Sequence, residues 1–145
     1  MEGGAEQFLR VDEPVGAFPR RRQDRVPSVL VVDDEEDFLE LTELFLEADG
    51  IRIMKARSAS EALWHALRTP PDIVFLDLML PGADGFQVLR ALRSEPETRD
   101  IPVFACSAAD IGDGHRILRA GFDGHFPKPV NWPRLRQVLR RLLGS

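Results

Sequence analysis

Two adjacent acids, Asp33 and Asp34, follow the apolar run Val29–Val32, and a third, Asp77, follows Ile73–Leu76 in the stretch VFLDLMLPGADG. A carboxylate at the end of so apolar a run loses hydration and needs a cation or a reaction to compensate. The chain also sets Ser107 after VFAC and Lys128 between Pro127 and Pro129. Three converging carboxylates repel one another, and a hard divalent cation with oxygen ligands relieves that repulsion, Mg²⁺ being the natural candidate. With two acids neutralised and an ammonium opposite, Asp77 becomes an attacking group, since carboxylates form acyl-phosphate intermediates. Phosphoryl transfer is the chemistry that such charges suit. Taken singly, each group has a plainer reading: a DD pair is often a helix cap with first-turn acids, and a serine after a strand is often a turn residue. Lys128 is more informative, because only two of the nineteen Lys and Arg residues are lysine. A compact ammonium suits one phosphoryl oxygen better than a guanidinium fork does. The Lys128–Pro129 bond is a candidate for the cis form.

These residues can meet only if the intervening chain brings them together. SVLVV reads as a strand, and EEDFLELTELFLEADG as a helix with Phe38, Leu41, Phe45 and Ala48 at helical spacing, closed by Gly50. IRIMKA alternates as a second strand, and SASEALWHALRT opens a helix with Ser58 and Glu61 in capping-box spacing before Ala62, Leu63, Ala66 and Leu67. DIVFLD is a third strand, followed by GFQVLRALRS, a helix capped by Asp84 that stops near Pro96. IPVFACSA is a fourth strand, ADIGDG a loop, HRILRAG a short helix, FDGHF a short fifth strand, and NWPRLRQVLRRLL a last helix capped by Asn131. Such alternation predicts an α/β fold, a doubly wound parallel sheet covered on both faces. In that architecture the functional crevice lies beyond the carboxyl ends of the strands. Asp33, Asp34, Asp77, Ser107 and Lys128 all fall on that edge.

The 145 residues suffice for one domain, expected at 28–145 behind a disordered leader, 1–27. No apolar run approaches the ~20 residues of a membrane span, and the N-terminus lacks a secretory signal, so a cytoplasmic location is expected. The net charge of −5 argues against general nucleic-acid binding, despite the local RRRQDR cluster, which reads as part of the solvated leader. The single cysteine, Cys106, excludes an internal disulfide and a cysteine metal cluster, and it reads as a buried small hydrophobe.

VLVVDDEEDF, DIVFLDLMLPGADGFQVLRALR, VFACSA and AGFDGHFPKPV resemble, in order and spacing, the response-regulator receiver domain over about residues 28–143. The resemblance implies a flavodoxin-like sheet of order 2-1-3-4-5 with five helices. It implies that Asp77 is the phosphoacceptor, that Asp34 and Asp77 ligate Mg²⁺ directly, that Asp33 acts mainly through a water, and that the Met79 carbonyl completes the protein ligands. Ser107 would hydrogen-bond the phosphoryl group and Lys128 would pair with it. The implied donor is a histidine kinase or a histidine phosphotransfer protein. With no output domain after Leu143, a downstream protein target is expected to read the signal.

There are departures from that pattern. The position three before the lysine, ordinarily Tyr or Phe, is His125, read as a polar ring at the surface in preference to a pH-sensitive switch. Gly112 and Gly114 point to a partly unwound fourth helix. Met79 and Ala109 stand where the family flanks the attacking water, and neither can orient it, so slow dephosphorylation is implied. Two other readings compete. A haloacid-dehalogenase-like phosphohydrolase needs a second acid two residues after its nucleophile, where this chain has Met79. A pseudo-receiver, a docking module independent of phosphorylation, is disfavoured by the presence of every matched acid, Ser107 and Lys128.

Overall fold

The computed structural model describes residues 25–108 and 114–144. Five strands form one sheet: β1 (Ser28–Val32), β2 (Arg52–Ala56), β3 (Ile73–Asp77), β4 (Val103–Ala108) and β5 (Gly124–Lys128). They are all parallel, in the order β2-β1-β3-β4-β5. Five helices connect and follow them: α1 (Glu36–Glu47), α2 (Ala59–Arg68), α3 (Gly85–Arg93), α4 (Gly114–Ala120) and α5 (Trp132–Leu143). This is the expected flavodoxin-like order, a doubly wound five-stranded sheet with five helices. Its neighbour order turns at β1 and β3, so a crevice opens beyond the ends of those strands.

Alternate residues of the buried strands feed two separate cores, as a period of two requires. Leu30, Val32, Val74, Leu76 and Ala105 pack on one face with Ala62 and Ala66 of α2, Leu89 and Leu92 of α3, and Ile117 of α4. Val29, Val31, Phe75, Phe104 and Phe126 pack on the other with Leu39 and Leu46 of α1 and Leu135 and Leu139 of α5. Phe75, Phe104 and Phe126 form an aromatic triangle with 5.8 Å between each pair of ring centroids.

The caps largely follow the sequence. Asp84 and Gln87 close a full capping box on α3, Asn131 accepts from Arg134 N–H on α5, and α3 ends before Pro96. At α2 the box is displaced by one residue. Ser58 accepts from Glu61 N–H, but Glu61 accepts from Arg57 N–H instead of Ser58. The fifth strand also starts later than expected and runs through Lys128.

The face of α1 differs more. Leu39, Thr42 and Leu46 are the buried stripe, whereas Leu41 and Ala48 face solvent and Phe38 and Phe45 lie half-buried against Trp132. Apolar residues surround most of this helix, so period alone cannot choose its inward side. The sheet and α5 choose it. Thr42 tolerates burial because its hydroxyl donates to the Phe38 carbonyl at 2.7 Å. Of the predicted loop at 109–114, residues 109–113, with Ala109 and Gly112, lie outside the described residues, as does the leader up to residue 24, and Gly114 is the first residue of α4 instead of a loop residue. Arg25 pairs with Asp72 at 2.7 Å, and Asp72 also accepts from Ser28 N–H. Among the described residues, no helix is long and apolar enough to cross a membrane.

One tertiary clamp has no local signature. Arg93, at the end of α3, donates to the carbonyls of Arg99 (2.9 Å), Ile101 (2.6 Å) and Gly121 (2.9 Å), and to Asp123 (3.2 Å). Asp123 in turn accepts from Val103 N–H at 2.8 Å. One guanidinium thus ties α3 to the starts of both β4 and β5. Arg93→Lys should lower stability by about 2 kcal/mol, because an ammonium cannot span these acceptors and leaves the part-buried Ile101 carbonyl and Asp123 carboxylate short of a donor. A urea titration checks it; an unchanged midpoint would contradict the clamp.

Candidate functional site

The sheet delivers Asp33, Asp34, Asp77, Ser107 and Lys128 to its carboxyl edge, as their positions in the sequence predict. Asp33 directly follows β1 and is fully buried; its N–H extends the ladder to the Ala56 carbonyl at 2.9 Å. Asp34, next along the chain, is exposed. Asp77 is the last residue of β3, held by its register with Cys106, and its side chain reaches the crevice nearly buried. One oxygen from each of Asp33, Asp34 and Asp77 lies within 4.8 Å of the others.

Hydrogen bonds fix these acids. Asp33 Oδ1 accepts from Glu35 N–H at 2.9 Å, and Asp77 Oδ1 accepts from Met79 N–H at 3.0 Å. Lys128 places Nζ 2.5 Å from Asp33 Oδ2, 3.4 Å from Glu35 Oε1 and 3.7 Å from Asp77 Oδ2. Its ammonium also sits 4.4 Å from the centre of the Phe38 ring. The Lys128–Pro129 bond is cis. Burial pushes the Asp77 carboxyl above its ordinary range; the Met79 amide and Lys128 oppose this, and Asp33 and Asp34 add to it. Burial would lower the Lys128 ammonium, but its hydrogen bond to Asp33 and the charges of Asp33, Asp77 and Glu35 leave it raised. The site is therefore an acid cluster with one ammonium poised between two of its members.

Met79 stands at the mouth and is 75% exposed. It pairs with Asp84 in a two-stranded ribbon, Met79–Leu80 with Ala83–Asp84, which turns the chain from Asp77 into α3. Gly85 seals this turn: its N–H donates to the Leu78 carbonyl at 2.9 Å, and a Cβ there would lie 2.6 Å from the Asp77 carbonyl oxygen. Sequence reasoning treated Gly85 only as a helix start. The PGADG spacing was the available signal, since a glycine after a cap marks a close backbone approach. Glu35 and Phe38, which brace Lys128, were also missed.

Ser107 is buried, and its hydroxyl is 3.1 Å from His125 Nε2 and 3.4 Å from the Ala108 carbonyl. The expectation of a surface His125 is corrected here: the residue is only 4% exposed. Register explains it, because His125 sits opposite Ala105 on β4 and shares the face of Ala105 and Ser107, beneath α4. Burial lowers the His125 pKa below its ordinary value of 6.5. The neutral ring is thus favoured by folding, and this contribution is present above the unfolded pKa and lost as pH falls through the lower folded value. His125→Phe should flatten the fall in melting temperature below pH 6.5 relative to the wild-type chain. Parallel curves for the two proteins would rule His125 out as a source of acid sensitivity.

The comparisons with known proteins agree with this geometry. The family described as the response regulator receiver domain matches residues 29–140. The polar-differentiation response regulator DivK of Brucella ovis is 36% identical over 119 residues, spanning 81% of this chain and 97% of that protein. Among solved structures, the signal receiver domain of a DNA-binding response regulator from Colwellia psychrerythraea is 31% identical, covers 82% of this chain and 99% of its own, and superposes with a TM-score of 0.76. The non-phosphorylated HemR receiver domain from Leptospira biflexa is 28% identical, covers 82% and 95% respectively, and has a TM-score of 0.72. A matching family over most of the described sheet and an acid cluster at its switch point lead to one assignment: the chain belongs to the response regulator receiver domain family of two-component signalling.

Proposed function

We propose that Asp77 accepts a phosphoryl group from the phosphohistidine of a histidine kinase or histidine phosphotransfer protein, and that this changes binding to a downstream protein. The observation that carries the reading is the nearly buried Asp77 carboxylate, 3.7 Å from Lys128 and clustered with Asp33 and Asp34. An Asp77 carboxylate oxygen attacks phosphorus, forming an O–P bond. The P–N bond breaks, and its electron pair leaves with the donor imidazole nitrogen.

Three carboxylates within 4.8 Å make a hard oxygen donor set that fits Mg²⁺. Asp34, Asp77 and the Met79 carbonyl would hold it directly, and Asp33 through water. When bound, the ion supplies charge neutralisation for the acids and for the phosphoryl oxygens. Lys128 already bridges Asp33 and Asp77, so a short movement takes its ammonium to a phosphoryl oxygen. The Ser107 hydroxyl, 3.1 Å from His125 Nε2, would turn its proton toward the same group. That contact couples His125 to phosphorylation, on the side of the sheet where α4 packs.

Incubation with acetyl phosphate or phosphoramidate tests the reading by intact mass. One phosphoryl group per chain is expected with Mg²⁺ and none after chelation. Absence of incorporation in both would leave a docking module that works without phosphorylation.

A further inference from the structure

We propose that the groove between α3 and α4 docks an acidic segment of a partner protein. The groove encloses about 500 Å³ and is lined by Asp84, Phe86, Arg90, Arg116, Arg119 and Ala120. It reverses the sign of a chain whose net charge is −5. Among the described residues that line it, three guanidinium groups accompany one carboxylate, and that one, Asp84, is engaged at the α3 cap, where it accepts from Gln87 N–H at 3.0 Å. Among the described residues, the exposed Arg90 and Arg119 make no ion pair.

The groove also has a fixed aromatic element. Phe86 is held edge-on against the buried Phe122, with ring centroids 5.5 Å apart, and the Arg116 guanidinium lies 4.3 Å from its centre. The stacking holds the Arg116 charge at a fixed place in the groove, where it adds to the charges of Arg90 and Arg119. Arg116 and Arg119, three residues apart, share a face of α4. Arg90 stands on α3, across the groove. Charge spread over two helices matches an extended ligand with several carboxylates better than a single small anion. Charge complementarity therefore selects an acidic polypeptide, and the ring offers a contact to an apolar side chain between its acids.

Fluorescence anisotropy tests this on the unphosphorylated full chain, so its outcome is separable from that of the phosphotransfer reading. The probes are a labelled peptide alternating Glu and Asp with Phe, and a counterpart with Gln and Asn in place of the acids. The acidic peptide should bind, weaken with added salt, and lose about tenfold in affinity in the double variant Arg116→Glu, Arg119→Glu. Arg90→Gln and Arg119→Gln, with melting curves matching the wild type, should weaken it less and in the same direction. A control pair on α5, Arg136→Glu with Arg140→Glu, should leave it unchanged. Equal binding of the neutral peptide, equal affinity in the charge-reversed groove, or no binding by the acidic peptide would overturn the proposal.

Discussion

Asp77→Asn should abolish phosphoryl incorporation from acetyl phosphate while leaving the chain folded. The amide matches the carboxylate in shape and can still accept from Met79 N–H, which now binds Asp77 Oδ1 at 3.0 Å. It lacks the anionic oxygen proposed to attack phosphorus, so the loss should be complete in an intact-mass assay. Stability should move the other way. The Asp77 carboxyl has its pKa raised by burial and by Asp33 and Asp34. A raised carboxyl contributes most below its unfolded pKa of 3.8 and loses that contribution as pH rises through its folded value, so at neutral pH without a cation the ionised group costs stability. The neutral amide avoids that cost, and the variant should melt above the wild type in chelator. Equal incorporation in the two proteins would move the acceptor elsewhere; a lower melting point would deny the repulsion.

Gly85→Ala should be the most damaging small substitution in the crevice. A Cβ at this position meets the Asp77 carbonyl oxygen at 2.6 Å and the Leu78 Cα at 2.9 Å, both backbone atoms that no side-chain rotation can clear. Either α3 shifts away from the sheet or the turn after β3 moves. Overpacking of this kind costs about 3 kcal/mol. Because the displaced atoms belong to Asp77 and its neighbour, the rate of phosphorylation should fall together with the urea midpoint. A variant with wild-type stability and rate would mean that the turn yields freely.

The alternation of strands and helices was legible in the chain because its signals are local. Val29–Val32 and Ile73–Leu76 are buried on both sides and read as continuous apolar runs, while Asp84, Ser58 and Asn131 mark helix starts within a single turn. Parallel strands then oblige Asp33, Asp34, Asp77, Ser107 and Lys128 to share an edge. What each residue touches there was decided by tertiary structure. Lys128 rests chiefly on Asp33, 95 positions away, with Asp77 at longer range. The burial of His125 followed from the register of β5 on β4, and the inward face of α1 from the sheet and α5 together. Arg93 looks ordinary in the sequence, and its role emerges only where the backbone of Gly121 and the side chain of Asp123 come within hydrogen-bond distance. Periodicity and capping act over one to four residues and are written in the chain. Pairing, close approach and burial of a particular ring depend on which segments meet, and packing alone determines that.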